Sequence, residues 1–218
     1  MRVALAICLA LGLVGCESRT AVSQARFYQD GTLKPTVALV PLFDHTTPNV
    51  EWDLSEEITT LINSRLQKKD KIFLTPQTKV KSLIRNLQNS QNPFAVDIAW
   101  VKPTFAGQEF VVFMELLQHE EIPQRSTPQE DPKQCAAELN ISLRIRVIDV
   151  RGDKAKVVLQ EIVRQSEYLP RQFNQYNFHH EAWKEDVFTI SPLSLAHAQL
   201  TKKAARRIEE YILLARGG

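Results

Sequence analysis

Residues able to do chemistry are few in this chain, and their spacing limits what they can do. The densest set of metal-ligand types is His179-His180 with Glu181, Glu185 and Asp186. Adjacent histidines diverge, and the i, i+4 separation that puts two imidazoles on one helical face is missing. Surface and packing roles are therefore expected there, and no metal site. Ser194 and His197 stand one helical turn apart, but nucleophilic catalysis needs a serine in a strained elbow with a base and an orienting acid, and no Gly-x-Ser-x-Gly occurs. The carboxylate pairs Glu56-Glu57 and Glu209-Glu210 fall on anticipated exposed helix faces, where solvation accounts for them. Only 7 glycines are present, and none forms a phosphate-cradling loop. Asp44 and His45 end the first anticipated strand, where α/β sheets contact ligands; loop structuring by Asp44 is the simpler role. These residues predict no catalytic site, no bound metal and no enzyme.

Two cationic faces remain. Arg65, Lys68, Lys69, Lys71, Lys79, Lys81 and Arg85 surround the second anticipated strand, with Asp70 the single acid among them, and Lys202, Lys203, Arg206 and Arg207 share the last helix. They could meet an anionic polymer, lipopolysaccharide or a partner's acidic face, although keeping helix faces soluble explains them more simply. An aromatic-rich excursion over 168–190 (Phe173, Tyr176, Phe178, Trp183, Phe188) and an exposed loop with Pro123, Pro128 and Pro132 suit a partner better, because aromatics carry much interface energy. The candidate partner surface thus comprises Arg65, Lys68, Lys69, Lys202, Arg206, Phe173, Tyr176 and Trp183. The whole chain carries 27 Lys and Arg against 25 Asp and Glu, a balance that gives no electrostatic case for nucleic acid.

The elements that must position these groups follow from periodicity. With 218 residues, 44% hydrophobic and 24% charged, the composition is that of one globular domain and excludes a mostly disordered or polytopic membrane chain. Thr36 to Phe43 is an unbroken apolar run, as in a strand covered on both faces. Asp53 with Glu56 makes a capping-box variant ahead of Leu54, Ile58, Leu61, Ile62 and Leu66, which predicts a helix over 53–68. Lys71 to Leu74 reads as a short strand, and Thr75-Pro76 as N-cap and first residue of a second helix. A short helix is expected around Asp97 to Val101, then a central strand over 108–118 and a long loop over 122–133. Leu139, Ile141, Leu143, Ile145 and Val147 alternate with Asn140, Ser142, Arg144 and Arg146, so one face should be core and the other water. Arg151-Gly152-Asp153 turns the chain into a return strand over 156–165. Ser191-Pro192 opens a last helix whose buried stripe is Leu193, Ala196, Leu200, Ala204, Ile208, Tyr211 and Ile212. The expected fold is α/β (α+β): β-α-β-α, an antiparallel hairpin and a C-terminal helix, a mixed sheet flanked by helices.

The amino terminus carries a targeting signal. Arg2 and the apolar run Val3 to Gly15 have the form of a signal peptide, too short for a hydrocarbon core of about 20 residues. The run ends in Leu13-Val14-Gly15-Cys16, which resembles a bacterial lipobox. That resemblance implies cleavage between Gly15 and Cys16 and a covalent diacylglycerol and N-acyl chain on Cys16, with no other cofactor. Residues 1–15 would then be a signal peptide, 16–34 a lipidated cysteine and flexible tether, and 35–218 a single periplasmic-type domain. Cys8 would leave with the signal and Cys16 would be acylated, so Cys135 would have no cysteine partner within the chain. Glu17 is not the aspartate that retains enteric lipoproteins at the inner membrane, which favours the outer membrane.

The domain's outline is also familiar. Val37 to Asp44 (V-A-L-V-P-L-F-D) and Leu143 to Lys154 (L-R-I-R-V-I-D-V-R-G-D-K), with the element order, resemble the envelope α/β fold of several bacterial proteins. These are the TolB amino-terminal domain, the curli secretion subunit, the lipoprotein activators of penicillin-binding proteins and the ring-forming exopolysaccharide export lipoprotein. The resemblance implies a non-enzymatic envelope role through a protein partner or self-association. Alternatives are a subunit of an outer-membrane secretion or export ring and a periplasmic enzyme.

Overall fold

The computed structural model describes residues 24–46, 50, 52–85, 87, 91–125, 127–129, 131, 135–171, 183–184 and 186–217. Among the described residues, six strands and five helices run in the order β1 (Thr36–Leu39), β2 (Phe43–Asp44), α1 (Leu54–Lys69), β3 (Phe73–Leu74), α2 (Gln77–Ile84), α3 (Val101–Thr104), β4 (Phe110–Gln124), β5 (Ala136–Asp149), β6 (Lys156–Leu169), α4 (Asp186–Thr189) and α5 (Pro192–Gly217). The strands form one mixed sheet ordered β3-β1-β4-β5-β6, with β2 also on β4. Pairs β1–β3, β1–β4 and β2–β4 are parallel, and β4–β5–β6 are antiparallel. The expected α+β fold with its C-terminal helix is the one observed.

The sheet buries both faces where β1 and the start of β4 lie. Val37, Leu39, Phe110, Val112, Met114 and Leu116 pack against Leu54, Ile58, Ile62 and Leu66 of α1 and Leu200, Ala204 and Ile208 of α5. Ala38, Val40, Val111, Phe113 and Ile148 face the other way, toward Val80 of α2 and Val101 and Phe105 around α3. The strand expected over 36–43 is instead two, β1 and β2, separated by residues 40–42; within β1 each alternate residue meets a different helix layer, which explains its apolar run. Asp53 caps α1 by accepting from the Glu56 amide at 3.2 Å, as the spacing predicts. Asp70 ends the helix at φ 54°, the left-handed conformation that closes helices.

Several expectations are corrected. The helix after β3 begins at Gln77 with Pro76 as its cap residue, because the Thr75 hydroxyl donates to Gln108 Oε1 at 2.5 Å instead of capping. The short helix lies at Val101–Thr104, not around Asp97. Strand β4 runs on to Gln124 and absorbs Pro123, shortening the expected loop; beyond Leu116 its one partner strand among the described residues is β5, and an edge tolerates proline. The second face of β5 is not simply wet. Arg146 is 7% exposed: Nη1 donates to the Pro93 and Ala95 carbonyls at 2.8 and 2.6 Å, and Nε to Gln160 Oε1 at 2.7 Å. With Nη2 also donating to Gln160, four of its five N–H groups have partners, which lets the guanidinium be buried, although burial and then the charge of Arg144 lower its pKa.

Residues 24–34 are docked and not a free tether. The Gln24 amide reaches the edge of the sheet beside β3, donating to the Ile72 carbonyl at 2.5 Å and accepting from the Leu74 amide at 3.0 Å. It thereby satisfies backbone groups that an edge strand leaves open. Phe27 and Leu33 form an antiparallel bridge across a turn where Gly31 takes φ 82°. Lys34 is 2% exposed and pairs with Asp70 at 2.6 Å.

Candidate functional site

Three buried polar side chains and Trp52 form a chain between α1, α5 and β4. Trp52 Nε1 donates to Glu57 Oε2 at 2.7 Å, and Glu57 Oε1 lies 2.7 Å from His197 Nδ1. His197 Nε2 lies 3.0 Å from His119 Nε2. Glu57, His197 and His119 are 1%, 0% and 2% exposed, so the series lies inside the core. Phe188 closes one side, its ring 5.1 Å edge-on from Trp52 and 6.4 Å from His197. With His197 Nδ1–H facing the carboxylate, the contact between the two imidazoles is a hydrogen bond only when one Nε2 carries the proton and the other accepts.

Each member reaches the chain for a local reason. Leu54, Glu57 and Ile58 are at helical spacing, so Glu57 sits in the apolar stripe of α1. His197 lies four residues after Leu193 and three before Leu200, within the buried face of α5. His119 arrives through a β-bulge. Leu116 opposes Leu143, Gln118 opposes Ser142 and His119 opposes Ile141, so Leu117 is an extra residue. In unbroken alternation His119, three residues after Leu116, would face outward; the bulge returns it to the face of Leu116. His119 also borders a cavity of about 420 Å³ with His45, Thr46 and Gln118. Asp44 structures the loop here, its Oδ1 accepting from the Thr46 amide and hydroxyl at 2.8 and 2.7 Å. His45 is exposed, 3.4 Å from Glu115. Chemically, the chain couples one helix–helix and one helix–strand contact by directional bonds. Among the described residues, no group of three or more His, Cys, Asp or Glu side chains is arranged so that it could hold a metal ion.

The cations first grouped as one surface divide into two kinds. Arg65 turns inward, donating to Thr201 Oγ1 at 3.1 Å and the Ala198 carbonyl at 2.9 Å, with its pKa lowered by burial. Lys69 pairs with Glu209, which Lys71 also approaches at 3.5 Å. Glu57 and Glu209, 1% and 4% exposed, therefore do not lie on solvated faces as expected. Lys68 and Lys202 remain exposed, and exposed Arg206 approaches Glu210 at 3.5 Å. Trp183 is half-buried against the main core, with the Lys184 ammonium 4.8 Å from its ring centre. Phe173, Tyr176, His179, His180, Gly15 and Cys16 lie outside the described residues.

A second concentration of cations surrounds the docked segment. A groove of about 900 Å³ runs between the hairpin residues Phe27 and Tyr28 and the turn from Lys69 to Lys71. Tyr28 Oη donates to the Lys71 carbonyl at 2.5 Å, and the Arg26 guanidinium lies 6.0 Å from the Phe73 ring centre. Among the described residues, no helix is long and apolar enough to cross a membrane.

Several solved structures align with the chain. The hypothetical protein CT253 from Chlamydia trachomatis aligns at TM-score 0.62 and 23% identity, over 82% of this chain and 98% of that one. Lipoprotein GNA1162 from Neisseria meningitidis aligns at TM-score 0.44 and 13% identity, over 78% and 98%. The PelC dodecamer from Paraburkholderia phytofirmans aligns at TM-score 0.37 and 12% identity, over 77% and 84%. The likeness to CT253 shows a shared fold. No curated protein matches. The model of a family of unknown function, DUF7499, matches residues 23–216, and the chain belongs to that family.

Proposed function

We propose that the chain is a lipid-anchored protein of the bacterial cell envelope, most simply at the outer membrane, which acts by binding other envelope components without catalysis. The observation that carries this reading is Leu13-Val14-Gly15-Cys16 at the end of an apolar run. Lipidation would place diacylglycerol and an N-acyl chain on Cys16, and several acyl chains of buried CH₂ groups hold a protein stably on a membrane. The folded domain would project on the aqueous side, in the periplasm or at the cell surface.

The buried chain supports a non-catalytic reading. Glu57 spends its carboxylate on Trp52 and His197, and His197 spends both ring nitrogens on Glu57 and His119. A catalytic triad would instead aim its histidine at a nucleophile beside a substrate cavity. Here the base meets a second histidine in the core, which serves packing and specificity. The partner surface comprises the exposed cations Lys68, Lys202 and Arg206 with the aromatic-rich excursion; assembly of several copies into a ring is the alternative mode.

The test is metabolic labelling with an alkyne palmitate in the source bacterium, comparing the natural chain with Cys16→Ala. The natural chain is expected to take up label and sediment with membranes, and C16A to take up none. Label in C16A at the natural level would end the reading.

A further inference from the structure

We infer that the hairpin over 24–34 and the adjoining end of α1 form a face that lies on an anionic lipid surface, with Phe27 and Leu33 entering the headgroup region. The inference rests on the lipid-anchor reading and adds an orientation to it. Gln24, the first described residue, comes eight residues after Cys16. Fully extended, that length of chain spans at most about 29 Å, so the hairpin is the part of the described fold nearest the anchor in sequence and cannot stand far from the bilayer.

The surface at this place has the chemistry of an interfacial contact. Phe27 and Leu33 are 53% and 47% exposed. They are direct partners in an antiparallel bridge, and residues paired in that way project on the same side. Two large apolar side chains at a hairpin end are poorly used in water, but they fit a headgroup layer that accepts apolar groups beside polar ones. Arg26 precedes Phe27 in the hairpin, and Lys69 and Lys71 line the same groove as Phe27; all three are exposed. Lys69 and Lys71 share Glu209, and the buried Lys34 is matched by Asp70. Counting Arg26, Lys34, Lys69 and Lys71 against Asp30, Asp70 and Glu209 leaves one positive charge beside the apolar pair. Basic residues next to a membrane segment are drawn to anionic lipids within a Debye length. The attraction need only be weak, because an anchored domain meets the surface at high effective concentration.

The hairpin is also held in shape before contact. Lys34 N donates to the Arg26 carbonyl at 3.0 Å, and Tyr28 N to the Thr32 carbonyl at 2.8 Å. Asp30 accepts from the Thr32 amide and hydroxyl at 2.9 and 2.7 Å, bonds that lower its pKa and keep it charged in the turn. Little order would have to be created on docking.

The test uses the full lipidated chain in vesicles of phosphatidylethanolamine and phosphatidylglycerol at 3:1. A nitroxide is placed at Phe27→Cys or, as a reference, at Val96→Cys, a site that is fully exposed. Flotation with the vesicles reads the anchor; collision with dissolved oxygen or an aqueous nickel chelate reads the face. The label at 27 is expected to be at least fivefold less accessible to nickel than the label at 96, and more accessible to oxygen. Adding Arg26→Glu and Lys71→Glu is expected to raise its nickel accessibility severalfold. If the chain floats and both labels meet nickel equally, the face is not docked while the anchor stands. Protection from both probes would assign the face to protein contact and also overturn the inference. Failure to float would remove the anchor reading and this inference together.

Discussion

At the residue scale, the Glu57–His197 contact sets the strongest energetic expectation. Both groups are buried and each satisfies the other, so removing one leaves a polar partner stranded in the core. Breaking such a pair costs about 3–5 kcal/mol, whereas replacing both partners costs far less than twice that. His197→Ala and Glu57→Ala should each lower unfolding free energy by about this amount, and the double variant should show a coupling of about 2 kcal/mol. Urea unfolding of the four proteins in the cycle measures it. Losses that add within about 0.5 kcal/mol would mean that the two residues act independently. The spacing held a trace of this site: His197 falls four residues after Leu193, beside but not in the stripe expected in the core, and Glu57, three after Leu54, was expected on an exposed face. Composition hides them, because a carboxylate and an imidazole read as solvated until a partner is seen. His119 was not legible at all: its facing depends on the extra residue Leu117, and a bulge leaves no mark in the alternation of an apolar strand.

At the element scale, the turn between β5 and β6 is tied to the end of α5. Arg151 Nε and Nη2 grip the Asp149 carboxylate at 3.0 and 2.7 Å, and Nη2 also donates to the Ala215 carbonyl at 2.7 Å. The same guanidinium lies 4.9 Å from the Phe110 ring centre. Burial pushes the Asp149 carboxyl up, but hydrogen bonds from the Arg151 side chain and backbone and the charges of Arg151 and Lys156 more than offset it, leaving the pKa below the ordinary value. A carboxyl with a depressed folded-state pKa adds stability above its unfolded value near 4, and that stability is lost as pH falls through the folded value. Asp149→Asn should therefore melt below the natural protein at pH 7, with the gap closing as pH drops below about 4. A gap that stays constant down to pH 2 would assign the effect to packing. Other elements show where local pattern fails. The β5 alternation is correct for Leu139 to Val147, yet Arg146 is buried because the distant segment at Pro93 and Ala95 supplies carbonyls to it. Residues 24–34 read as a polar linker, but Gln24 behaves as an added edge partner of β3, an arrangement made by contacts 48 and 50 residues away.

At the scale of the whole molecule, element order was the most legible property. The β-α-β-α start, the antiparallel hairpin and the last helix follow from apolar spacing, a cap at Asp53 and a turn at Gly152. Sheet order was less so, because β1 finds both β3 and β4 across long connections. The proposed account joins this fold to an anchor: Cys16 fixes the chain to a membrane, the docked hairpin sets the domain close to it, and α5 with the aromatic excursion meets other envelope components. Its central claim is the covalent state of Cys16. The most direct measurement is the mass of the amino-terminal peptide of the mature protein, purified from membranes of the source bacterium. The account predicts a peptide that begins at Cys16 and carries a diacylglyceryl group with a further acyl chain on its amine. An unmodified Cys16, or a mature chain that begins at any other residue, would contradict it.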